Sequence, residues 1–287
     1  MTELSRELVA SWLPRRAEDG HKGSFGRALI AAGSVGFTGA PVLAANACVR
    51  SGAGLVFLAV PESVWPVAAV KCDEAMPFPC PEDEGGRLAP EALSSILERA
   101  AGCDGLLLGP GLGQSPALDG LVTAFLRETK GKPLVLDADG LNALSRHIDS
   151  TVNRSDWILT PHDGEYARLM GSFPGERREE AALALARRLN CISVLKGHRT
   201  LIASPQGELL RNTTGNHGMA KGGSGDVLSG VILSLLVQGM PPLQAAGAGV
   251  WVHGRAGDIA ARRYGFRGMT PSDLIRCLPQ VWKELES

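Results

Sequence analysis

The chain has 287 residues, 44% of them hydrophobic, with 29 Lys and Arg against 30 Asp and Glu and a formal charge of −1. That length suits one large α/β domain over 1–287, and only seven Phe and two Tyr point to an aliphatic core. The charge balance excludes a global basic surface for nucleic acid, no apolar stretch is long enough to span a bilayer, and the charged amino terminus lacks the apolar centre of a signal peptide.

In chain order, residues 3–13 predict a short helix ending near Pro14, and 21–27 a polar, glycine-bearing loop in which Lys22 and Arg27 read as exposed. The apolar run 28–32, closed by Gly33-Ser34, predicts a buried strand. A glycine-rich turn at 36–41 opens a small-residue helix over 41–51, with Pro41 at its first position, and 55–60 is the next strand. Residues 71–90, rich in Pro, Asp, Glu and Gly, predict an exposed irregular excursion. A helix over 90–101 leads to the strand 106–108 and the turn Gly109-Pro110-Gly111-Leu112-Gly113, followed by a helix over 116–130. Strand 134–136 runs into Asp137-Ala138-Asp139-Gly140-Leu141-Asn142, and strand 157–159 into Thr160-Pro161-His162-Asp163-Gly164-Glu165. A charged helix over 175–189 precedes strand 192–195, which ends in Lys196-Gly197-His198-Arg199-Thr200. A hairpin over 201–210 turns at Pro205-Gln206-Gly207, and helices over 243–263 and 271–285 close the chain.

The β-α-β-α order argues for a largely parallel sheet covered by helices. Each polar motif follows a short apolar strand, and ligands of open parallel sheets bind outside the carboxyl ends of the strands. The four motifs at 109–113, 137–142, 160–165 and 196–200 are therefore expected on one rim. Six cysteines (Cys48, Cys72, Cys80, Cys103, Cys191, Cys277) show no Cys-x-x-Cys spacing and read as buried thiols of a cytoplasmic protein.

The stretch 212–239 carries the strongest signal. Asn216-His217-Gly218-Met219-Ala220-Lys221-Gly222-Gly223-Ser224-Gly225-Asp226 is polar and glycine-rich, and it feeds a helix with Leu228, Val231, Ile232, Leu235 and Leu236 on one face. Free N–H groups and the positive dipole end favour an anion there, and glycines let the backbone approach it. Asp226 suits either an ordinary N-cap or the base that takes a proton from a substrate hydroxyl beside a phosphate cradle. Residues 196–200 either contact nucleotide phosphate and ribose or form a solvated turn. His162 either hydrogen-bonds a substrate or caps the following helix, and 109–113 is either a sharp turn or a close approach to ligand. Asp137, Asp139 and Glu165 offer oxygen ligands for a hydrated Mg²⁺, but no fixed-spacing motif assigns a metal site. His21, His147, His217 and His253 carry no assigned role.

Together these motifs resemble the ADP-dependent NAD(P)H-hydrate dehydratase family, a branch of the ribokinase-like fold. The resemblance runs from Lys22-Gly23-Ser24-Phe25-Gly26 through Gly39-Ala40-Pro41, 109–113, 137–142 and 160–165 to Asn216–Asp226, with Asp163 and His217 standing where family members often have proline. It implies a mostly parallel sheet with helices on both faces and a late antiparallel hairpin. It also implies that hydrated NADH or NADPH is dehydrated at the expense of ADP, with Mg²⁺, through phosphorylation of the ring hydroxyl and elimination of phosphate. Asp226 would then be the base, and Ala40, Gly111, Gly113, His162 and Asp226 would contact the hydrated dinucleotide. Lys196, Gly197, His198, Arg199, Thr200, Asn216, Gly222, Gly223, Ser224 and Gly225 would surround the nucleotide. The family's separate epimerase domain is not seen in the sequence, so epimerase activity is expected to be missing, and a homo-oligomer, a tetramer, is expected by analogy. A small-molecule kinase of the same fold and a non-catalytic nucleotide-binding protein are the alternatives.

Overall fold

The computed structural model describes residues 1–129, 131–148 and 155–287. In chain order the elements are β1 (Thr2–Glu3), α1 (Arg6–Trp12), β2 (Arg27–Ala31), α2 (Gly39–Arg50), β3 (Leu55–Pro61), α3 (Trp65–Lys71), β4 (Met76–Cys80), α4 (Ala92–Ala101), β5 (Gly105–Leu108), α5 (Pro116–Glu128), β6 (Leu134–Leu136) and α6 (Ala138–Arg146). They continue with β7 (Trp157–Leu159), α7 (Asp163–Met170), α8 (Arg178–Leu189), β8 (Ile192–Leu195), β9 (Leu201–Ala203), β10 (Leu209–Arg211), α9 (Ser224–Val237), α10 (Pro242–Gly268) and α11 (Pro271–Glu286).

Among the described residues these strands form one ten-stranded sheet in the order β1-β10-β9-β8-β7-β6-β5-β2-β3-β4. Pairing is parallel from β8 through β4, and β9 and β10 add the antiparallel hairpin expected from the sequence. The central strands are almost wholly apolar because both faces are covered, with the buried Ser193 in β8 an exception. In β2, Ala28 and Ile30 face the core formed with α2, α9, α10 and α11, while Leu29 and Ala31 face the core formed with α4 to α8. All six cysteines are free and buried, and no helix among the described residues is long and apolar enough to cross a membrane.

Several expectations need correction. The amino terminus is a two-residue strand paired with β10 before α1 begins, with Ser5 capping the helix through Leu8 N–H. Helix α2 starts at Gly39, so Pro41 is its third residue, a position whose N–H is still free of intrahelical bonding. The excursion over 71–90 contains β4, which pairs with β3 at the edge of the sheet. Pro77 and Pro79 disguise it, yet an edge strand tolerates them because only one side of its ladder is used. Helices α3 and α6 are further elements that the sequence patterns do not mark. The last residue expected in the helix over 116–130 lies outside the described residues, and α10 runs past residue 263 to a break at Gly265 (φ 72°, ψ 162°).

Helix α9 crosses α2 closely enough that a Cβ on Gly230 would fall 2.1 Å from the Ala44 carbonyl oxygen, and one on Gly249 of α10 would fall 2.6 Å from Ile232 Cγ1. These glycines set the depth at which α9 lies, and with it the position of its first turn. Gly230→Ala is therefore expected to lower stability by about 1–3 kcal/mol through overpacking. Gly120→Ala, in an exposed part of α5 with open space around it, should raise stability by about 0.5–1 kcal/mol. Thermal melts of both variants check the contrast in sign.

Candidate active site

Strands β5, β6, β7 and β8 are neighbours and parallel, so the segments after them share one rim. The turns after β5 and β6 touch: Gly109 has φ 135°, and a Cβ there would fall 1.8 Å from the Asp137 carbonyl oxygen. Gly111 (φ 62°) abuts Ala40 at the start of α2, with room for a Cβ only 3.0 Å from the Ala40 Cβ. Its carbonyl accepts from Ser34 Oγ at 2.8 Å, while Gly113 N–H donates to Asp139 Oδ2 at 2.9 Å. Thus Ala40, Gly111 and Gly113 are gathered at one end of the rim. Lys22 precedes β2 and Arg27 is its first residue, so both lie at the amino ends of the strands, opposite this rim.

The centre of the rim is a buried ion pair. Asp137, 1% exposed, sits at the N-cap position of α6 but does not cap it. Its Oδ1 accepts from Lys196 Nζ at 2.8 Å and its Oδ2 from Ser229 Oγ at 2.6 Å. Lys196 Nζ is also 3.6 Å from Glu165 Oε2. Burial is the largest single influence on Asp137 and opposes its ionisation, but the Lys196 charge and hydrogen bonds outweigh it and hold the carboxyl below its ordinary range. Burial likewise opposes the charge on Lys196, and Asp137 and Glu165 override it, raising the ammonium above its usual value. Next to Asp137, Ala138 is held at φ 48°, a left-handed conformation that costs a non-glycine residue energy and is over-represented at functional sites.

Asp226 is the third residue of α9. The N-cap is Gly223 (φ 97°), which makes no side-chain cap, so the reading of Asp226 as an ordinary N-cap is set aside. Its carboxyl is pushed up to about 6, first by burial and then by the Asp137 charge, with Lys196 acting in the opposite direction. Gly225, the residue before Asp226, lies against the ion pair: a Cβ there would be 3.6 Å from Lys196 Nζ and 3.8 Å from Asp137 Oδ2. His162 does cap α7, its Nδ1 accepting from Gly164 and Glu165 N–H at 3.0 and 3.3 Å, while over half of its side chain stays exposed at the rim.

A cavity of about 430 Å³ opens beside this centre. Lys196, Gly197, His198, Arg199 and Thr200 form one wall, and Asn216, Ser224 and Gly225 form another. Asp226, Gly222 and Gly223 lie outside its lining, as do Ala40, Gly111, Gly113 and His162. The cavity also takes in Thr214, Met219, Leu228, Val250 and two histidines that carried no assigned role, His217 and His253. Burial pushes His253 down to about 4, which keeps it neutral. Val250 and His253 sit in an apolar helix whose local pattern says nothing of a ligand. A larger cavity of about 800 Å³ lies by the carboxyl ends of α2 and α9, away from every rim group, so size does not mark the site.

The proposed Mg²⁺ ligands do not form a cage. Asp137 is engaged by Lys196 and Ser229, Asp139 by Gly113 N–H and Asn142, and Glu165 by His162 N–H. Among the described residues no group of three or more His, Cys, Asp or Glu side chains could hold a metal ion.

A mostly parallel sheet covered by helices, with a late antiparallel hairpin and a glycine loop at a helix start on its rim, defines a ribokinase-like α/β protein. A family model described as NAD(P)H-hydrate dehydratase matches residues 28–280, and the chain belongs to this family. It is 47% identical to a bifunctional NAD(P)H-hydrate repair enzyme of Moorella thermoacetica over 98% of this chain and 54% of that protein. The chain thus spans about half the length of this relative. An ADP-dependent (S)-NAD(P)H-hydrate dehydratase of Neisseria meningitidis is 40% identical over 85% of this chain and 80% of its own. An ADP/ATP-dependent NAD(P)H-hydrate dehydratase of Bacillus subtilis, co-crystallized with ATP/Mg²⁺, superposes with TM-score 0.82 at 31% identity, covering 99% of this chain and 98% of that one.

The geometry gives Lys196 a role beyond that of a solvated turn. Lys196→Ala would leave Asp137 buried without its counter-ion, a loss of about 3–5 kcal/mol. The double variant Asp137→Asn/Lys196→Met should lose less than Lys196→Ala alone. Chemical denaturation of the three proteins reads this out, and an unaltered midpoint for Lys196→Ala would return the residue to the surface.

Proposed function

We propose that this chain dehydrates hydrated NADH or NADPH back to the reduced cofactor, consuming ADP and releasing AMP and phosphate. The observation that carries the reading is the Asp226 carboxyl, half-buried where the glycine loop meets α9 and raised to about 6. A general base works best with a pKa near the operating pH. The family and the ADP-dependent Neisseria relative supply the substrate class.

In this reading Lys196 to Thr200 and the 216–225 loop hold ADP, with the backbone N–H groups at the start of α9 facing its phosphates. Ala40, Gly111, Gly113 and His162 hold the hydrated ring so that its hydroxyl meets Asp226. Asp226 takes the hydroxyl proton as the oxygen attacks the terminal phosphorus of ADP, and the bond to the bridging oxygen breaks to release AMP. The ring C–O bond then breaks, phosphate leaves with the bonding pair, and loss of a proton from the adjacent ring carbon restores the double bond. The Asp137–Lys196 pair positions this chemistry: it anchors Gly225, and the Lys196 charge keeps Asp226 from rising further. Mg²⁺ would travel with the nucleotide phosphates and keep part of its water shell, as this ion prefers. No step is assigned to it.

The test is to mix the protein with hydrated NADH, Mg²⁺ and ADP and to follow the return of the reduced-nicotinamide absorbance. Accumulation of a phosphoester without that return would identify a kinase instead. Asp226→Asn should lower turnover by roughly 10²–10⁴-fold while nucleotide binding changes little. The pH–rate profile should show an acid limb near 6, because a protonated Asp226 cannot accept the proton. The same shift has a stability sign: the folded carboxyl binds a proton more readily than its ordinary 3.8, so its contribution is present at low pH and lost as pH rises through about 6. Above pH 7 the Asn variant should melt no lower than the wild type.

A further inference from the structure

His217 lines the 430 Å³ cavity and is also a wall of an adjoining surface hollow of about 780 Å³. Its ring packs on Phe266, with centroids 4.2 Å apart and planes 35° from parallel. Both residues are exposed, Phe266 by 48%. This is an aromatic pair at the mouth of a cavity, not a core contact.

The pair is held in place from below. Gly265 (φ 72°) breaks α10 and turns Phe266 over the 216–221 loop. Gly218 lies so close to Phe266 that a Cβ would fall 2.8 Å from its carbonyl oxygen. Lys221 Nζ donates to the carbonyls of Arg267, at 2.7 Å, and Met269, which ties the same loop to the segment carrying Phe266. Two chain segments far apart in sequence are thus fastened together at the point where the two rings meet.

The cavity lining combines two kinds of chemistry. Ser224 and Gly225, at the start of α9, offer an anion-binding end, while Met219, Leu228 and Val250 supply apolar surface. His217 adjoins that apolar part in sequence, two residues before Met219. An exposed aromatic face beside apolar walls suits a flat heteroaromatic ring.

We propose that the His217 ring, backed by Phe266, is the stacking wall for the purine base of a nucleoside diphosphate bound in this cavity, and that it sets selectivity for purine over pyrimidine nucleotides. The inference rests on the reading of this cavity as the nucleotide site and adds which residue recognises the base. His217 touches the base, and Phe266 is a positioning residue that acts through it.

Calorimetric titration of the full chain with ADP and with CDP tests it. The wild type should bind ADP more tightly than CDP. His217→Ala should weaken ADP binding about 10-fold or more, the scale of one base-stacking contact, and weaken CDP less, so that the ADP/CDP ratio narrows. His217→Phe should restore both the affinity and the ratio. Phe266→Ala should weaken ADP by a smaller factor and add nothing to His217→Ala in the double variant. Equal losses for ADP and CDP, or none, would overturn the stacking role while leaving the nucleotide site intact. A wild type that binds neither nucleotide would remove the site reading itself, and this inference with it.

Discussion

The buried pair of Asp137 and Lys196 is the interaction on which the site depends. Asp137 follows β6, Lys196 follows β8, and Ser229, on the second turn of α9, satisfies the remaining carboxylate oxygen. One carboxylate therefore joins two strand ends to the helix that carries the candidate base. A charge this deep is tolerated only when it is paired and hydrogen-bonded, and the partners here come from three elements that must all be in place. Burial raises Asp226 most, the Asp137 charge adds to that, and Lys196 restrains it. The cluster that holds the strand ends together thus also tunes the candidate base.

Packing supplies the second constraint. Helix α9 lies in a groove between α2 and α10 whose floor consists of glycines and small residues, so its backbone comes within contact of α2 at Gly230. This close approach is what brings a glycine-rich first turn to the level of the strand ends. A bulkier interface would lift the first turn away from Asp137 and open the contact through Ser229. Interior packing transmits such shifts because it has little free volume to absorb them.

The fold alone would not choose among activities, since unrelated chemistries share it and function resides in the site. What separates the readings is local: a carboxylate with a raised pKa in the first turn of α9, beside a cavity lined by 196–200, Asn216, Ser224 and Gly225. The carboxylates that resemble metal ligands in the sequence are each engaged by protein donors. Acidic residues at strand ends therefore need their hydrogen-bond partners counted before a metal is assigned to them.

The sequence by itself determined the class of fold, the hairpin, and the shared rim of the four motifs that follow β5 to β8. Those features follow from short-range patterns: apolar runs of strand length, glycine and proline punctuation, and a polar motif after each strand. It also singled out Asp226 and the loop before it, because glycines clustered at a helix start have few purely structural explanations. It misplaced β4, whose alternating prolines look like a loop until the edge position makes them harmless, and it left open whether His162 caps a helix. Only the tertiary structure decided that Asp137 and Lys196 neutralise each other, that Asp226 is not the cap, and that His217, His253 and Val250 line one cavity. Each of those facts depends on which elements meet in space. Residues 137 and 229, or 217 and 266, carry no local pattern that links them, because burial and charge are properties of the assembled environment and not of the chain.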